Sequence, residues 1–208
     1  MNLNLAATIP MTAAEGPGQR FAIWVQGCPL RCPGCCNPHY LEFRPARSVR
    51  PDEILAEVLA MGGRIEGITL IGGEPFSQAA PLAWLAEACR TRGLSVMTFS
   101  GHTWEDLLDP HHEDHAARSA LLSYTDLLVA GPYLASRQSR SRRWIGSENQ
   151  TIHFLSDRYT PLQKAWPPRG NTIELRLNAG GISINGFPHR DITRLNRNEA
   201  TTSSQSHE

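Results

Sequence analysis

The sequence predicts an α/β fold, a mostly parallel sheet wrapped by helices, and three observations carry that prediction. Short apolar runs of strand length alternate with segments of helical periodicity. That order, strand then helix then strand, is the pattern of parallel sheets with helical crossovers. The two most unusual motifs of the chain each follow directly on such a run, and ligands collect at the carboxyl ends of parallel strands.

The elements follow in order. Phe21 to Gln26 is an apolar run after the breaker Gly16-Pro17-Gly18 and reads as the first core strand, delivering the chain to a cysteine-rich loop. Pro51 suits the first turn of a helix, with Asp52 and Glu53 at its positive dipole end. Ile54, Leu55, Val58 and Leu59 then form one apolar face, and Gly62-Gly63 ends it. Gly67 to Ile71 is a second buried strand, running into Gly72-Gly73-Glu74-Pro75. A second helix starts near Pro81, with Leu82, Leu85 and Cys89 at helical spacing, which makes Cys89 a core residue and not a ligand. Leu94 to Ser100 is a third strand, Trp104 to Leu122 a broken helix, Asp126 to Ala130 a fourth strand and Thr151 to Leu155 a fifth. Thr172 to Leu177 and Ile182 to Asn185 flank Asn178-Ala179-Gly180-Gly181 as a closing hairpin, and residues 191–208 read as a polar, disordered tail.

Composition narrows the function. The chain has 208 residues, 40% of them apolar, enough for one domain with a real core. Lys plus Arg and Asp plus Glu are balanced at 20 each, so no overall field attracts nucleic acid or an anionic membrane, and neither is expected as a partner. Met1 to Met11 lacks the basic start and long apolar core of a secretory signal, and no run approaches the ~20 apolar residues of a membrane span, so a cytoplasmic location is expected. Four of the five cysteines fall between Cys28 and Cys36, a clustering that suits metal chemistry in a reducing compartment and not a disulfide framework.

In Gly27-Cys28-Pro29-Leu30-Arg31-Cys32-Pro33-Gly34-Cys35-Cys36-Asn37-Pro38, Cys28, Cys32 and Cys35 sit three and then two residues apart on a loop tightened by Pro29, Pro33 and Gly34. A four-iron cubane usually takes four cysteines, so three leave one iron with open coordination for exogenous chemistry. The alternative is a closed zinc site completed by Cys36 or His39. Adjacent cysteines are expected to point apart, which makes Cys36 a poor fourth ligand. His111, His112 and His115 read as a polar loop between helices, and Arg137, Arg140, Arg142 and Arg143 with Trp144 as a loop either at a site mouth or simply solvated.

This cysteine spacing, followed one helix and one strand later by Gly72-Gly73-Glu74-Pro75, resembles the radical S-adenosylmethionine superfamily. Within it, Gly16-Pro17-Gly18 with Arg20, Gln26-Gly27-Cys28, Cys32-Pro33-Gly34-Cys35, Asn37-Pro38 and Ser100-Gly101 resemble the small activating proteins, especially those of anaerobic ribonucleotide reductase, over roughly Ala13 to Leu155. Most superfamily members carry an aromatic residue before the third cysteine, where Gly34 stands here. Asp126 to Tyr133 resembles a strand that in the activators ends Asp-Gly-Pro-Phe, with Ala130 replacing the acidic residue, and Gly146 to Gln150 resembles a further segment of theirs.

The resemblance implies a partial (β/α) barrel of about five or six mostly parallel strands with a C-terminal hairpin. It implies one domain over residues 1–190, with a core at 13–155 and the hairpin at 172–186. It implies a 4Fe-4S cluster on Cys28, Cys32 and Cys35, and S-adenosylmethionine held through Gly72, Gly73, Glu74, Pro75, Asn37 and Ser100. The implied activity is reductive cleavage of that cofactor to activate a larger glycyl-radical enzyme, with a flavodoxin- or ferredoxin-type electron donor. A radical enzyme with its own peptide or small-molecule substrate, or a zinc-stabilised binding module, are the alternatives.

Overall fold

A computed structural model describes residues 1–165, 172–178 and 181–187. Its strands are β1 (Leu3–Thr12), β2 (Arg20–Val25), β3 (Arg47–Val49), β4 (Gly67–Gly72), β5 (Ser95–Ser100), β6 (Leu127–Ala130), β7 (Thr151–Phe154), β8 (Ile173–Asn178) and β9 (Gly181–Gly186). The helices are α1 (Pro51–Leu59), α2 (Ala79–Arg90), α3 (Trp104–Leu107), α4 (His115–Tyr124) and α5 (Thr160–Lys164). Seven strands form one sheet in the order β3-β1-β2-β4-β5-β6-β7, while β8 and β9 pair only with each other. The expected tail, 191–208, and the centre of the hairpin turn lie outside the described residues.

The four central strands, β2, β4, β5 and β6, are parallel. β1 and β7 run antiparallel on either side of them. The sheet does not close, so the mostly parallel, incomplete barrel expected from the sequence is present, widened by two strands that the sequence pattern did not announce. β1 pairs with β2 through two register shifts and contains Pro10, which breaks the plain alternation that marks a strand. β3 has only three residues.

Alternation along the parallel strands separates two apolar surfaces. Leu128 and Ala130 of β6 join Phe21, Ile23, Ile68, Leu70 and Val96 in the larger cluster, which α1, α2 and α4 cover with Ile54, Leu82, Leu85, Cys89 and Leu121. Leu127 and Val129 face the other way, with Met97, Trp144, Ile145 and Tyr159. Truncating a fully buried leucine in the larger cluster to alanine costs about 2–5 kcal/mol. Cys89 is fully buried there, as its spacing predicted.

α1 begins as read, with Pro51 in its first turn and Asp52 and Glu53 beside it. α2 starts two residues before Pro81, and the expected break in the third helical segment separates α3 from α4. A capping box at Thr103 and Asp106 fixes the start of α3.

At the amino ends of the parallel strands the guanidinium of Arg20 is completely buried. It donates to Thr69 Oγ1 at 2.6 Å, Pro17 O at 3.1 Å, Ser95 Oγ at 3.0 Å and Tyr159 OH at 3.1 Å, and also to Ile68 O. Tyr159 in turn donates to Glu66 at 2.5 Å. Arg20, one of the residues carrying the family resemblance, thus ties β2, β4 and β5 together at the end of the sheet opposite the cysteine loop.

Candidate functional site

Strand register assembles the site. Val25 lies beside Gly72 in the β2–β4 pair, and Ser100 beside Ala130 in the β5–β6 pair. The β4–β5 pairing joins Leu70 to Thr98, and the same offset carried two residues on brings Ser100 level with Gly72. The four parallel strands therefore end together and release Gly27-Cys28, Gly73-Glu74, Gly101 and Gly131-Pro132-Tyr133 at one rim. A cavity of about 1090 Å³ opens there, lined by residues from all four exits, from the start of β1's outgoing loop at Ala14 and Glu15, and from β9.

Gly72 and Gly73 are required by close approach. Gly72 has φ +111°, and a Cβ on it would lie 2.5 Å from the amide nitrogen of Val25. A Cβ on Gly73 would lie 2.2 Å from Gly27 O and 2.8 Å from Tyr40 O. The amides of Gly73 and Glu74 donate to Val25 O and Gly27 O, both at 2.8 Å, so this turn is stitched to the stem of the cysteine loop. Cys28 N donates to Leu41 O at 3.0 Å and closes the other side of that loop.

Glu74 is not an exposed turn residue. It is 1% exposed, and its carboxylate accepts from Phe76 N at 3.0 Å, Ser100 Oγ at 3.0 Å and Gly101 N at 2.8 Å. Burial pushes its pKa from 4.5 up to about 7, against the lowering effect of those three donors. Glu15, 6% exposed, accepts from Gly186 N at 2.7 Å and Asn185 Nδ2 at 3.3 Å, and burial raises its pKa too. Among the described residues lining the cavity these are the two carboxylates, and none is Lys or Arg, so the wall suits a cationic ligand.

Cys28, Cys32 and Cys35 all line the cavity, as do Asn37, Gly72, Gly73, Glu74 and Ser100. Pro75 does not: it is buried behind the wall, where it opens the short 3-10 turn Pro75–Gln78. Cys36 departs from expectation. Its thiol hydrogen-bonds Cys35 instead of pointing away, because the chain bends at Cys36 and neighbouring side chains diverge only on extended backbone. That bond, helped by the amide of Asn37 donating to Cys35 Sγ at 3.4 Å, lowers the Cys35 pKa to about 6, while burial raises that of Cys28.

Among the described residues no three His, Cys, Asp or Glu side chains close tightly enough to hold a single metal ion. That includes His111, His112 and His115, and of the basic loop only Gln138 and Trp144 reach the cavity wall. Arg142 is occupied with the carbonyls of Glu148 and Gln150, and Arg143 lies 4.7 Å over the Trp144 ring.

Other wall residues were not legible as such. Glu15 directly precedes Gly16-Pro17-Gly18 but was not singled out with it, and Asn185 and Phe187 arrive from the far end of the chain. Gln150 organises the Gly146–Gln150 segment: its Oε1 accepts from Gly146 N at 2.8 Å and Ser147 N at 3.1 Å, and its Nε2 donates to Gly131 O at 2.9 Å. Ala130 is buried in β6 with no charge in its place.

The chain matches the family described as a 4Fe-4S single cluster domain over residues 14–153, and it belongs to that family. Among curated proteins it is 27% identical to the anaerobic ribonucleoside-triphosphate reductase-activating protein of Vibrio cholerae, over 73% of this chain and 97% of that one. It is equally similar, at 27%, to the protein of that description from Escherichia coli (strain K12), over 74% and 99%. A shorter stretch, 40% of this chain and 36% of the other, is 37% identical to the pyruvate formate-lyase-activating enzyme of Staphylococcus epidermidis. These relatives bear out the resemblance to radical S-adenosylmethionine enzymes, and with it the expected pair of a 4Fe-4S cluster and S-adenosylmethionine. The site fits that pair: three thiols share one cavity, its described lining holds two carboxyls and no Lys or Arg, and the volume suits a nucleotide-sized ligand beside a cluster.

Proposed function

We propose that this enzyme is an activase, generating a radical that is passed to a glycine of a larger glycyl-radical enzyme such as an anaerobic ribonucleotide reductase. The observation that carries the reading is the convergence of the cysteine loop, the Gly72-Gly73-Glu74 turn and the Ser100-Gly101 exit on one cavity. In this reading Cys28, Cys32 and Cys35 would hold a 4Fe-4S cluster, and with three cysteines in place of four that cluster would be able to take S-adenosylmethionine. When bound, and given one electron from a donor, that pair would supply reductive cleavage of S-adenosylmethionine to methionine with abstraction of a hydrogen atom from the glycine, the nucleoside leaving as 5'-deoxyadenosine.

The protein's own residues do the binding. Gly72 and Gly73 let the main chain come close, and the turn they form with Glu74 receives the ammonium end of the cofactor. Asn37 and Ser100 complete that wall. Names of the full-length relatives support the partner class; a flavodoxin or ferredoxin as electron donor and a cytoplasmic location belong to the same reading. Among the described residues no helix is long and apolar enough to cross a membrane. Residues 1–190 act as one domain in this account.

The test mixes the anaerobically reconstituted enzyme, S-adenosylmethionine, a one-electron reductant and an anaerobic ribonucleotide reductase, followed by electron paramagnetic resonance. A glycyl-radical doublet accompanied by 5'-deoxyadenosine is expected. Deoxyadenosine released only on adding a peptide or small molecule, with no doublet, would assign the radical to a different substrate.

A further inference from the structure

We propose that the free edge of β9 is the docking strand for the partner enzyme, an assignment that rests on the activase reading above. An extended segment of the glycyl-radical enzyme adds to this edge by main-chain pairing, and the partner's surface beside that segment covers Leu175 and Leu177.

The β8–β9 hairpin is turned inside out. A sheet with one covered face normally lays its apolar side on the core. Here the inward face is polar: Asn185 Nδ2 donates to Thr12 Oγ1 at 2.9 Å and to Glu15 Oε1 at 3.3 Å, Arg176 donates to Met11 O, and Glu174 accepts from Ala13 N at 2.6 Å. The opposite face carries Leu175, which lies beside Ile184 in the register, and Leu177 two residues on. Leu175 is 65% and Leu177 82% exposed. Apolar side chains left open together on a sheet whose polar side is buried mark an interaction surface. The hairpin also lies beyond residues 14–153, the part matched by the family, so this surface is an addition to the core.

Among the described residues β9 pairs only with β8, which leaves its other edge open. Gly186 N is turned towards that edge, where it donates to Glu15 at 2.7 Å. Main-chain groups alternate between the two sides of a strand, so the N–H and C=O of Ile184 and Ile182 lie on the same outer edge. The edge faces the cavity: Ile184, Asn185 and Gly186 line it together with the three thiols, whereas β8 contributes none of its described residues. β9 has no charged residue and no proline, the usual devices that block pairing at an edge.

Main-chain pairing also suits the proposed reaction, whose target is the backbone carbon of a glycine, a residue with no side chain to grip. A strand added beside Ile182 and Ile184 is held backbone to backbone and carries its next residues into the cavity. Other occupants fit less well. Residues 188–208 hold Ile192 and Leu195 as their only large aliphatic side chains, thin cover for an apolar face. A second copy paired along β9 would stand across the cavity that the glycine must enter.

The test titrates the reduced, cluster-loaded enzyme and S-adenosylmethionine with an anaerobic ribonucleotide reductase and reads the glycyl-radical doublet by electron paramagnetic resonance. Each variant's own release of 5'-deoxyadenosine without the reductase serves as its reference. Ile184→Pro removes a donor from the open edge but none from the ladder with β8, and should raise the half-saturating reductase concentration about 2- to 10-fold. Ile184→Ala keeps that donor and should stay closer to wild type than the proline variant does. Leu175→Lys combined with Leu177→Lys should raise half-saturation about tenfold or more. If the proline loosens the hairpin, seen as fast hydrogen exchange at Gly186 N, the double lysine variant carries the test. Half-saturation unchanged in these variants, while the wild type gives the doublet, overturns the docking edge alone. A wild type that releases 5'-deoxyadenosine but gives no doublet overturns the activase reading and the docking edge with it. A free protein that is dimeric, and monomeric in the double lysine variant with half-saturation unchanged, gives the face to a second copy and likewise overturns the docking edge.

Discussion

Replacing Glu74 by glutamine exchanges one buried oxygen for an amide and so tests how the cavity wall is held. Oε1 accepts from Phe76 N and Ser100 Oγ while Oε2 accepts from Gly101 N, so all three partners are donors. A glutamine has a single acceptor oxygen, and its NH2 must face at least one N–H. Leaving a buried donor unsatisfied costs about 1–3 kcal/mol. The carboxyl also makes a stabilising contribution that depends on pH. Its pKa rises from 4.5 in the ordinary state to about 7 in the fold, worth about 3 kcal/mol. Because the folded value is the higher one, this contribution is fully present below pH 4.5 and is lost as pH rises through about 7. Urea unfolding of both proteins at about pH 5, 6.5 and 8 measures the balance. From the acid to the alkaline end the wild type should lose about 2–3 kcal/mol of stability relative to the glutamine protein. His102 and His153, whose pKa values burial lowers, titrate in the same window but identically in both proteins, so the difference isolates Glu74. A difference independent of pH would refute the reasoning.

Other perturbations separate the ends of the molecule. Arg20→Met strips donors from Thr69, Pro17 and Ile68 at the far end of the sheet, and should cost about 3–5 kcal/mol in urea unfolding while leaving cofactor affinity of the folded protein unchanged. Gly73→Ala drives a methyl into Gly27 O and Tyr40 O, so it should cost about 1–3 kcal/mol and lower the iron bound per chain after reconstitution. Glu15→Ala frees the β8–β9 hairpin: hydrogen exchange should speed up about tenfold or more at the β9 amides, with β2 and β4 keeping their protection.

The four parallel strands were legible because each is buried on both faces, and a strand of that kind reads as a nearly continuous apolar run such as Gly67 to Ile71, interrupted only by Thr69. β1 was not: it carries Pro10, two register shifts and a half-buried pattern, so no single period stands out. Much of the site was likewise visible, since the cysteine loop and Gly72 to Glu74 are local motifs, and register alone brings them to one rim. What the sequence could not announce depends on contacts between distant positions. Glu15 meets Gly186 across 171 residues, and Phe187 joins Tyr133 only because that latch closes. The burial of Glu74 was equally hidden, because its donors come from the exit of β5 and from the turn after it.

The account's central claim is that three cysteines of this cavity hold a cluster with one iron open to S-adenosylmethionine. Iron and sulfide analysis of the anaerobically reconstituted protein, followed by electron paramagnetic resonance of its reduced form with and without S-adenosylmethionine, addresses that claim most directly. The account predicts about four irons and four sulfides per chain, a resonance that changes when the nucleotide is added, and loss of both in Cys32→Ser. Stoichiometric zinc in place of iron, or a cluster signal indifferent to S-adenosylmethionine, would contradict it.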